Sequence, residues 1–472
     1  MTAIAGLSRK VADPVLTVAQ MQAAERAAMA AGTSSWELMR RAGEGAAQWV
    51  ARAAAGRAVT VLCGPGNNSG DGYVIAESLR RRGTSVTMVA PVEPKTETAR
   101  TARSAYSGEV LTHADGLDAP IFVDCLFGYG LSREVGGEFA KTLQKCAASH
   151  SYKIAIDVPS GVASDTGALL GDISQYNLTL ALGAWKQAHF LMPAAPLMGE
   201  LKLVPIGLDF PQHTASLSSQ PHLSPPAADA HKYRRGLLAI VAGTMPGAPL
   251  LAAQAAMHSG AGYVKLMSAH SHPDAPAELV IEGGNLSGTL ADDRIAALLI
   301  GPGLGRTNDA RDRLSAALET GKPCVLDADA LHLIDEDMLE GVDATRLIVT
   351  PHEGELASLC RSFGVTAQGK LASARALHGV TALTVLAKGP DTVLVGQGAV
   401  RFFPRGSSWL SVAGTGDVLA GILAARLAHH GDPVRAGEEA VWLHHTAACL
   451  AAPAFTAGQL AAAVKPAIAR LL

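Results

Sequence analysis

The chain has 472 residues, a length that points to two domains, each able to bury its own core. Its 39 basic and 42 acidic residues leave a formal net charge of -3, and aromatic residues make up only 4%. That composition offers no basic field for nucleic acid and few rings for stacking on single strands.

Residues 17–54 predict two helices, the first stopped by Gly32 and the second capped by Ser34 or Ser35. Before them, the N-terminus lacks the continuous apolar region of a signal peptide. Val- and Ile-rich runs at 58–63, 85–90, 120–125 and 153–158 predict strands, with helices over 70–82, 95–107 and 136–149. Runs near 178–183 and 200–204 extend the sheet. Strands alternating with helices predict a doubly wound α/β domain with a parallel sheet covered on both faces. Residues 211–230 hold four prolines and four serines without periodicity and read as a linker. We set the domains at 1–212 and 229–472, with the linker at 213–228. Alternation resumes with strands at 236–243, 263–267, 297–301, 323–328, 346–350 and 383–389, a hairpin over 392–404, and three helical segments from about 414. No run reaches the roughly 18 apolar residues of a membrane span. The six cysteines are scattered without a C-x-x-C pair, which suggests neither zinc nor a disulfide framework and fits a reduced compartment.

In such sheets ligands collect at the C-terminal ends of strands. The first strand ends in CGPGNNSGDG (63–72), which reads as a strand-to-helix turn. It is neither a P-loop nor a dinucleotide fingerprint. Its backbone N–H groups suit phosphate, whereas the plainer reading is a turn capped by Asn68, Ser69 or Asp71. In the second half, SVAGTGDVLAGILAARLA (411–428) opens a long apolar helix with Gly-Thr-Gly. The N–H groups of Ala413, Gly414, Thr415 and Gly416 suit an anion hole there. Asp417, in the first turn, is placed to take a proton from a hydroxyl attacking phosphorus, or merely to favour the helix dipole.

The helix-opening G-T-G-D resembles the ribokinase-like superfamily. With GPGLGR, LDADAL, TPHEGEL and KGPDTVL in order, the second half resembles the ADP- or ATP-dependent NAD(P)H-hydrate dehydratases. GPGNNSGDGYVIA, VDCLFGYGL and IDVPSGV make the first half similar to their partner, the NAD(P)H-hydrate epimerases. From about residue 17 onward the arrangement resembles the bifunctional hydrate-repair enzymes of bacteria. The fold so implied is an N-terminal Rossmann-like domain followed by a C-terminal ribokinase-like α/β/α domain. The implied function is to epimerise the R and S hydrates of NADH and NADPH and to dehydrate the S form while cleaving ADP to AMP and phosphate.

The resemblance also implies residue roles. In the second half Asp417 is the base and contacts the hydrate, as do Gly303 and His352. Lys388, Gly389, Pro390, Asp391 and Thr392 bind nucleotide with Gly414, Thr415 and Gly416. Mg²⁺ is the expected cofactor there, with Asp327 and Asp329 either aiding it through water or capping a helix. Glu353 and Glu355 read equally well as a solvated helix start, and AGTMPGAP departs from the family's longer Gly/Ser-rich form around Met245 to Ala248. In the first half Asn67, Asn68, Ser69, Gly70 and Asp71 hold the hydrate's phosphates, and Gly128, Tyr129, Gly130, Leu131, Ser132, Arg133 and Glu134 wrap the dinucleotide. Asn68, Asp124 and Ser160 ligate K⁺. Asp157 is the acid–base and substrate-binding candidate, or only the cap of the turn at Pro159–Ser160–Gly161. The family usually has NNGGDG, so Ser69 strains the turn if that position needs positive φ. Expected partners are the small molecules NADHX, NADPHX and ADP, with no nucleic acid and no membrane, in a cytoplasmic homo-oligomer. A ribokinase-class vitamin kinase with an accessory domain, or a first half reduced to a non-catalytic binding module, are the alternative readings.

Overall fold

The computed structural model describes residues 13–117, 119–210 and 215–472. The N-terminal stretch 1–12 and residues 211–214, where the predicted first boundary and the start of the linker fall, lie outside the described residues. The chain divides into two compact units, one ending at Leu217 and the other starting at Ser218.

In the first unit β1 (Val59–Cys63), β2 (Val86–Val89), β3 (Val110–Leu111), β4 (Ile121–Cys125), β5 (Tyr152–Ile156), β6 (Leu178–Leu182) and β7 (Glu200–Val204) form a seven-stranded sheet. Its order is β3-β2-β1-β4-β5-β6-β7 and every pair is parallel. Alternating residues serve its two faces. Val59, Val61, Val123, Ile154 and Ile156 belong to one core, and Leu62, Phe122 and Ala155 to the other. The strand order reverses between β1 and β4, so a crevice opens beyond their C-terminal ends.

Helix α1 (Val18–Ala30) gives way to Gly32 at φ +100, and α2 (Ser35–Ala54) is capped by Ser34, whose side chain accepts from the Glu37 N–H. Helix α3 (Asn67–Arg81) corrects the sequence reading, because NNSGDG is its opening rather than a turn before it. Ser69 is helical and carries no positive φ, so the strain expected of it is absent. The glycines answer to packing. A Cβ at Gly72 would lie 2.6 Å from Cys63 Sγ, so α3 reaches the sheet only with a bare Cα there.

The second unit has strands β8 (Leu237–Val241), β9 (Tyr263–Met267), β10 (Val280–Glu282), β11 (Ile295–Ile300), β12 (Cys324–Leu326), β13 (Leu347–Val349), β14 (Thr384–Ala387), β15 (Val393–Gly396) and β16 (Ala399–Phe402). They run in the order β16-β15-β14-β13-β12-β11-β8-β9-β10, parallel except for the hairpin β15–β16 and its antiparallel pairing with β14. One face carries α4 (Gly247–His258), α5 (Thr415–His430), α6 (Pro433–Ala451) and α7 (Ala457–Leu471). Every residue from Val418 to Ala428 is buried, as expected of a helix apolar on nearly all sides, and the one charge among them, Arg426, is paired with Glu439. The segment read as a linker is anchored here. Leu223 lies in this core and its N–H donates to the Leu471 carbonyl, an apolar hold that proline and serine content does not reveal. Among the described residues no helix is long and apolar enough to cross a membrane.

Candidate active sites

The crevice of the first unit is a cavity of about 610 Å³. Asn67, Asn68, Asp71, the loop from Gly128 to Arg133 and Asp157 line it. Ser69 and Gly70 do not, because the helical period turns them away. Gly70 packs on Met39, and the buried Ser69 hydroxyl donates to the Gly66 carbonyl at 2.5 Å. Glu134 also lies outside the lining. The opening of α3 lacks a side-chain cap, which leaves a helix N-terminus facing the cavity beside Lys95 and Arg133.

Asp157 follows β5 with φ 70, the left-handed region that non-glycine residues seldom adopt. Its carboxylate does not cap the Pro159 turn. Oδ1 takes the buried Lys186 ammonium and the Leu182 N–H at 3.3 Å, and Oδ2 takes the Tyr129 N–H at 3.0 Å. Tyr129 Oη donates to Glu25 Oε2 at 2.8 Å. Burial, followed by the neighbouring Asp157 and Glu25 carboxylates, pushes Asp71 well above the usual carboxylate range. Burial raises Glu25 as well. Sequence reasoning missed Glu25 and Lys186, since neither stands in a motif and only folding brings them to Asp157.

Asp124, at the end of β4, and Ser160 meet directly. Ser160 Oγ donates to Asp124 Oδ1 at 2.7 Å and its N–H to Oδ2 at 3.0 Å, while Tyr176 Oη donates to Oδ2 at 2.6 Å. Asp124 is fully buried, burial raises its pKa, and among the described residues no cationic side chain pairs with it. Asn68 Nδ2 donates to the Ile156 carbonyl at 3.4 Å. A Cβ at Gly128 would stand 3.2 Å from Asn68 Oδ1, so the bare glycine keeps that oxygen clear. The Leu126 N–H completes the set around Asp124 at 3.1 Å from Oδ1, so Asp124 accepts four hydrogen bonds while its charge has no cationic partner among the described residues.

In the second unit α5 opens at Gly414, held at φ 88. The buried Thr415 hydroxyl turns back to the Leu410 and Val412 carbonyls, both at 2.9 Å, so backbone rather than hydroxyl stands at the helix mouth. Asp417, in the first turn, makes no ion pair among the described residues. Burial first and Asp327 second push it up to about 6, against the opposing pull of Lys388. Lys388 Nζ bonds Asp327 Oδ1 at 2.6 Å, and the Thr350 hydroxyl bonds the same oxygen at 2.6 Å. A Cβ at Gly416 would lie 3.6 Å from Lys388 Nζ. The ends of β12, β13 and β14 and the mouth of α5 thus converge.

Asp329 stands apart, engaged by Arg306 at 2.9 Å and the Gly305 N–H at 2.9 Å. Gly303 accepts from the Met245 N–H at 3.1 Å, which places the AGTMPGA loop against GPGLG. His352 caps the helix at Glu353–Ser362 through Nδ1 while Glu355 accepts from its N–H at 2.8 Å, so Glu355 is a buried capping-box partner rather than a solvated charge. Asp391 pairs with Lys370, and the Thr392 hydroxyl donates to the Gly389 carbonyl at 2.8 Å. Among the described residues no group of three or more His, Cys, Asp or Glu side chains is placed to hold a metal ion.

The family model described as NAD(P)H-hydrate dehydratase matches residues 238–470, and that of the YjeF-related protein N-terminus matches residues 35–188. The bifunctional NAD(P)H-hydrate repair enzyme of Thermanaerovibrio acidaminovorans is 32% identical, over 91% of this chain and 92% of its own. That of Gloeobacter violaceus is 33% identical, over 93% of this chain and 94% of its own. The crystal structure of the ADP/ATP-dependent NAD(P)H-hydrate dehydratase of Bacillus subtilis, co-crystallised with ATP and Mg²⁺, is 26% identical with a TM-score of 0.46. It covers 53% of this chain and 95% of the other.

Proposed function

The chain belongs to the family of bifunctional NAD(P)H-hydrate repair enzymes, and from that premise we infer that its first unit interconverts the R and S hydrates of NADH and NADPH while its second dehydrates the S form at the expense of a nucleotide. The observation that carries the reading is Asp417. It is a carboxyl with no ion pair among the described residues, raised to about 6 at the mouth of an apolar helix, beside the Lys388 ammonium. Hydroxide is a poor leaving group and phosphate a good one, so a kinase-like site suffices for a dehydration. Asp417 takes the proton of the C6 hydroxyl, whose oxygen attacks the β-phosphorus of ADP, and the bridging P–O bond breaks to release AMP. The ring nitrogen lone pair then expels phosphate from C6, and loss of a proton from C5 restores the C5–C6 double bond.

Lys388 and the backbone of Gly414 to Gly416 support the transferring phosphoryl group, and the KGPDT loop the nucleotide. Mg²⁺ is bound chiefly by substrate phosphates and one or two carboxylates, which fits a site with Asp327 and Asp417 close together. Asp327 would hold it, whereas Asp329 is engaged elsewhere, and the ion would supply charge for the phosphates. In the first unit the diphosphate lies at the N-terminus of α3, near Lys95 and Arg133. Asp157 carries the proton as the C6 hydroxyl leaves and returns. K⁺ would be held by Asn68, Asp124 and Ser160 and would supply the positive charge that buried Asp124 otherwise lacks.

The test is a mixture of R and S hydrate incubated with ADP or with ATP, followed by nicotinamide absorbance. Recovery of the whole mixture is expected, faster with ADP than with ATP. No recovery with either nucleotide refutes the reading, and a clear preference for ATP refutes the choice of donor.

A further inference from the structure

Lys186 lies in the apolar run ALGAWKQAHF and has 0% exposure. A lysine is almost never so buried unless it is paired. Its backbone is pinned, since Trp185–Lys186 pairs in parallel with Val15–Leu16. The ammonium has three donors and three partners. These are Asp157 Oδ1, the Leu182 carbonyl at 2.7 Å and the Ala184 carbonyl at 3.1 Å. No donor remains for a molecule in the cavity, so Lys186 acts there through its neighbours, chiefly the Asp157 carboxylate it bonds, with the Tyr129 ring 5.3 Å from the ammonium.

The same residue holds Asp157 a second way. The Lys186 N–H donates to His189 Nδ1 at 2.9 Å, which leaves the proton of the neutral ring on Nε2. Burial and the Lys186 ammonium keep that ring neutral by holding His189 down to about 4. Nε2 then donates to the Asp157 carbonyl at 2.8 Å, and the Asp157 N–H donates to the Leu180 carbonyl at 2.8 Å. These bonds over-determine a backbone at φ 70 that an aspartate does not choose unaided. Of the carboxylate oxygens, among the described residues Oδ1 has two donors and Oδ2 has only the Tyr129 N–H, so Oδ2 keeps a lone pair for the cavity that Asp157 lines.

Resting on the epimerase reading of the first unit, we propose that Lys186 is the positioning residue of that reaction, fixing the aim of Asp157 through a closed set of hydrogen bonds without touching the hydrate. Among the described residues Asp157 is the only one of the three cavity carboxyls with an ammonium bonded to it. Asp71 lies in the same wall without an ion pair among the described residues, and Glu25 is held by a phenol. Remove the ammonium, and Asp157 loses the feature that distinguishes it.

The test is a double-mutant cycle on the full chain, with dehydration of the S hydrate as an internal control from the second unit. Lys186→Met should slow conversion of R to S by about 100-fold, the scale of a lost acid–base group, and leave S dehydration at the wild-type rate. In an Asp157→Asn background, Lys186→Met should cost nothing more, because the partner it serves is already gone. The double variant also removes both charges of a buried pair, so it leaves neither one uncompensated. If Lys186→Met alone does not fold, Asp157→Asn compared with the double variant still decides. Equal rates support the proposal, and a further large drop overturns it by giving Lys186 a role of its own. A folded Lys186→Met protein that interconverts the epimers at the wild-type rate overturns it too. A wild-type chain that interconverts nothing removes the epimerase reading and this proposal together.

Discussion

On the proposed reading the two units use one residue type for proton transfer and hold it by different means. Asp157 sits at a strand end on left-handed backbone, bonded to a buried ammonium and to two backbone N–H groups. Asp417 sits in the first turn of a helix with no ion pair among the described residues, raised to about 6 by burial and by Asp327. Desolvation and a like charge both disfavour the anion, and together they bring a carboxyl near neutrality, where a base combines driving force with the right protonation state. Asp157 is instead held in place by its ammonium and backbone N–H partners. The difference teaches that a site is recognised by how its acid is held as much as by the motif that carries it.

The comparison breaks most sharply at Asp417. Asp417→Asn should reduce nucleotide-driven dehydration by about 10²–10⁴-fold and leave R-to-S conversion unchanged. It should also stabilise the chain. A carboxyl raised in the folded state favours folding fully below its unfolded pKa, and that contribution is lost as pH rises to about 6. At neutral pH the asparagine should gain about 1–3 kcal/mol, visible as a higher unfolding temperature of the second unit. A variant that consumes ADP normally while restoring NADH would remove Asp417 as the base. Asp157→Ala comes next. It should leave S dehydration normal, with R hydrate disappearing only as fast as it epimerises spontaneously, about 100-fold below wild type. A folded Asp157→Ala chain that interconverts the epimers normally would reduce Asp157 to a structural anchor.

The pH dependence gives a smaller and more continuous reading. The proton must be off Asp417 for it to act as base. Dehydration kcat/KM should therefore fall about tenfold per unit below about 6 and level off above it. An acidic limb that stays put in the slow residual activity of Asp417→Asn would assign it to another group.

The sheets of both units were legible because Val- and Ile-rich strands alternate with helices, and the candidate loops because polar and glycine residues gather at the strands' C-terminal ends. Two-residue β3 and three-residue β10 were not, since so short a run has no period to read. The start of α3 was misread because glycine signals a turn in sequence, whereas Gly72 is there to let a helix touch Cys63 and Cys125. Asp157 and Asp417 stood out through their loops. Lys186 and Glu25 did not, because a lone charge in an apolar run and a glutamate on a polar helix gain meaning only from partners that lie 29 and 104 residues away.

Glu25 offers the smallest effect and the finest test of how far the Asp157 site extends. It lies on α1, outside the segment 35–188 matched by the YjeF-related family model, yet it lines the cavity. Its carboxylate holds the Tyr129 hydroxyl at 2.8 Å, and the Tyr129 N–H holds Asp157 Oδ2. Glu25→Ala removes one hydrogen bond worth about 1 kcal/mol and leaves the Tyr129 ring free to move. KM for the R hydrate should rise about fivefold, with kcat little changed because Lys186 still holds Asp157. Glu25→Gln retains an acceptor and should stay near wild type. Tyr129→Phe should match Glu25→Ala, and the double variant should be no worse than either, since both remove the same bond. Steady-state rates of R-to-S conversion check all four. If Glu25→Ala leaves KM unchanged, α1 is scaffold and the epimerase site ends at the matched segment. If kcat falls instead, the helix reaches the acid itself, and Asp157 depends on more than the lysine beneath it.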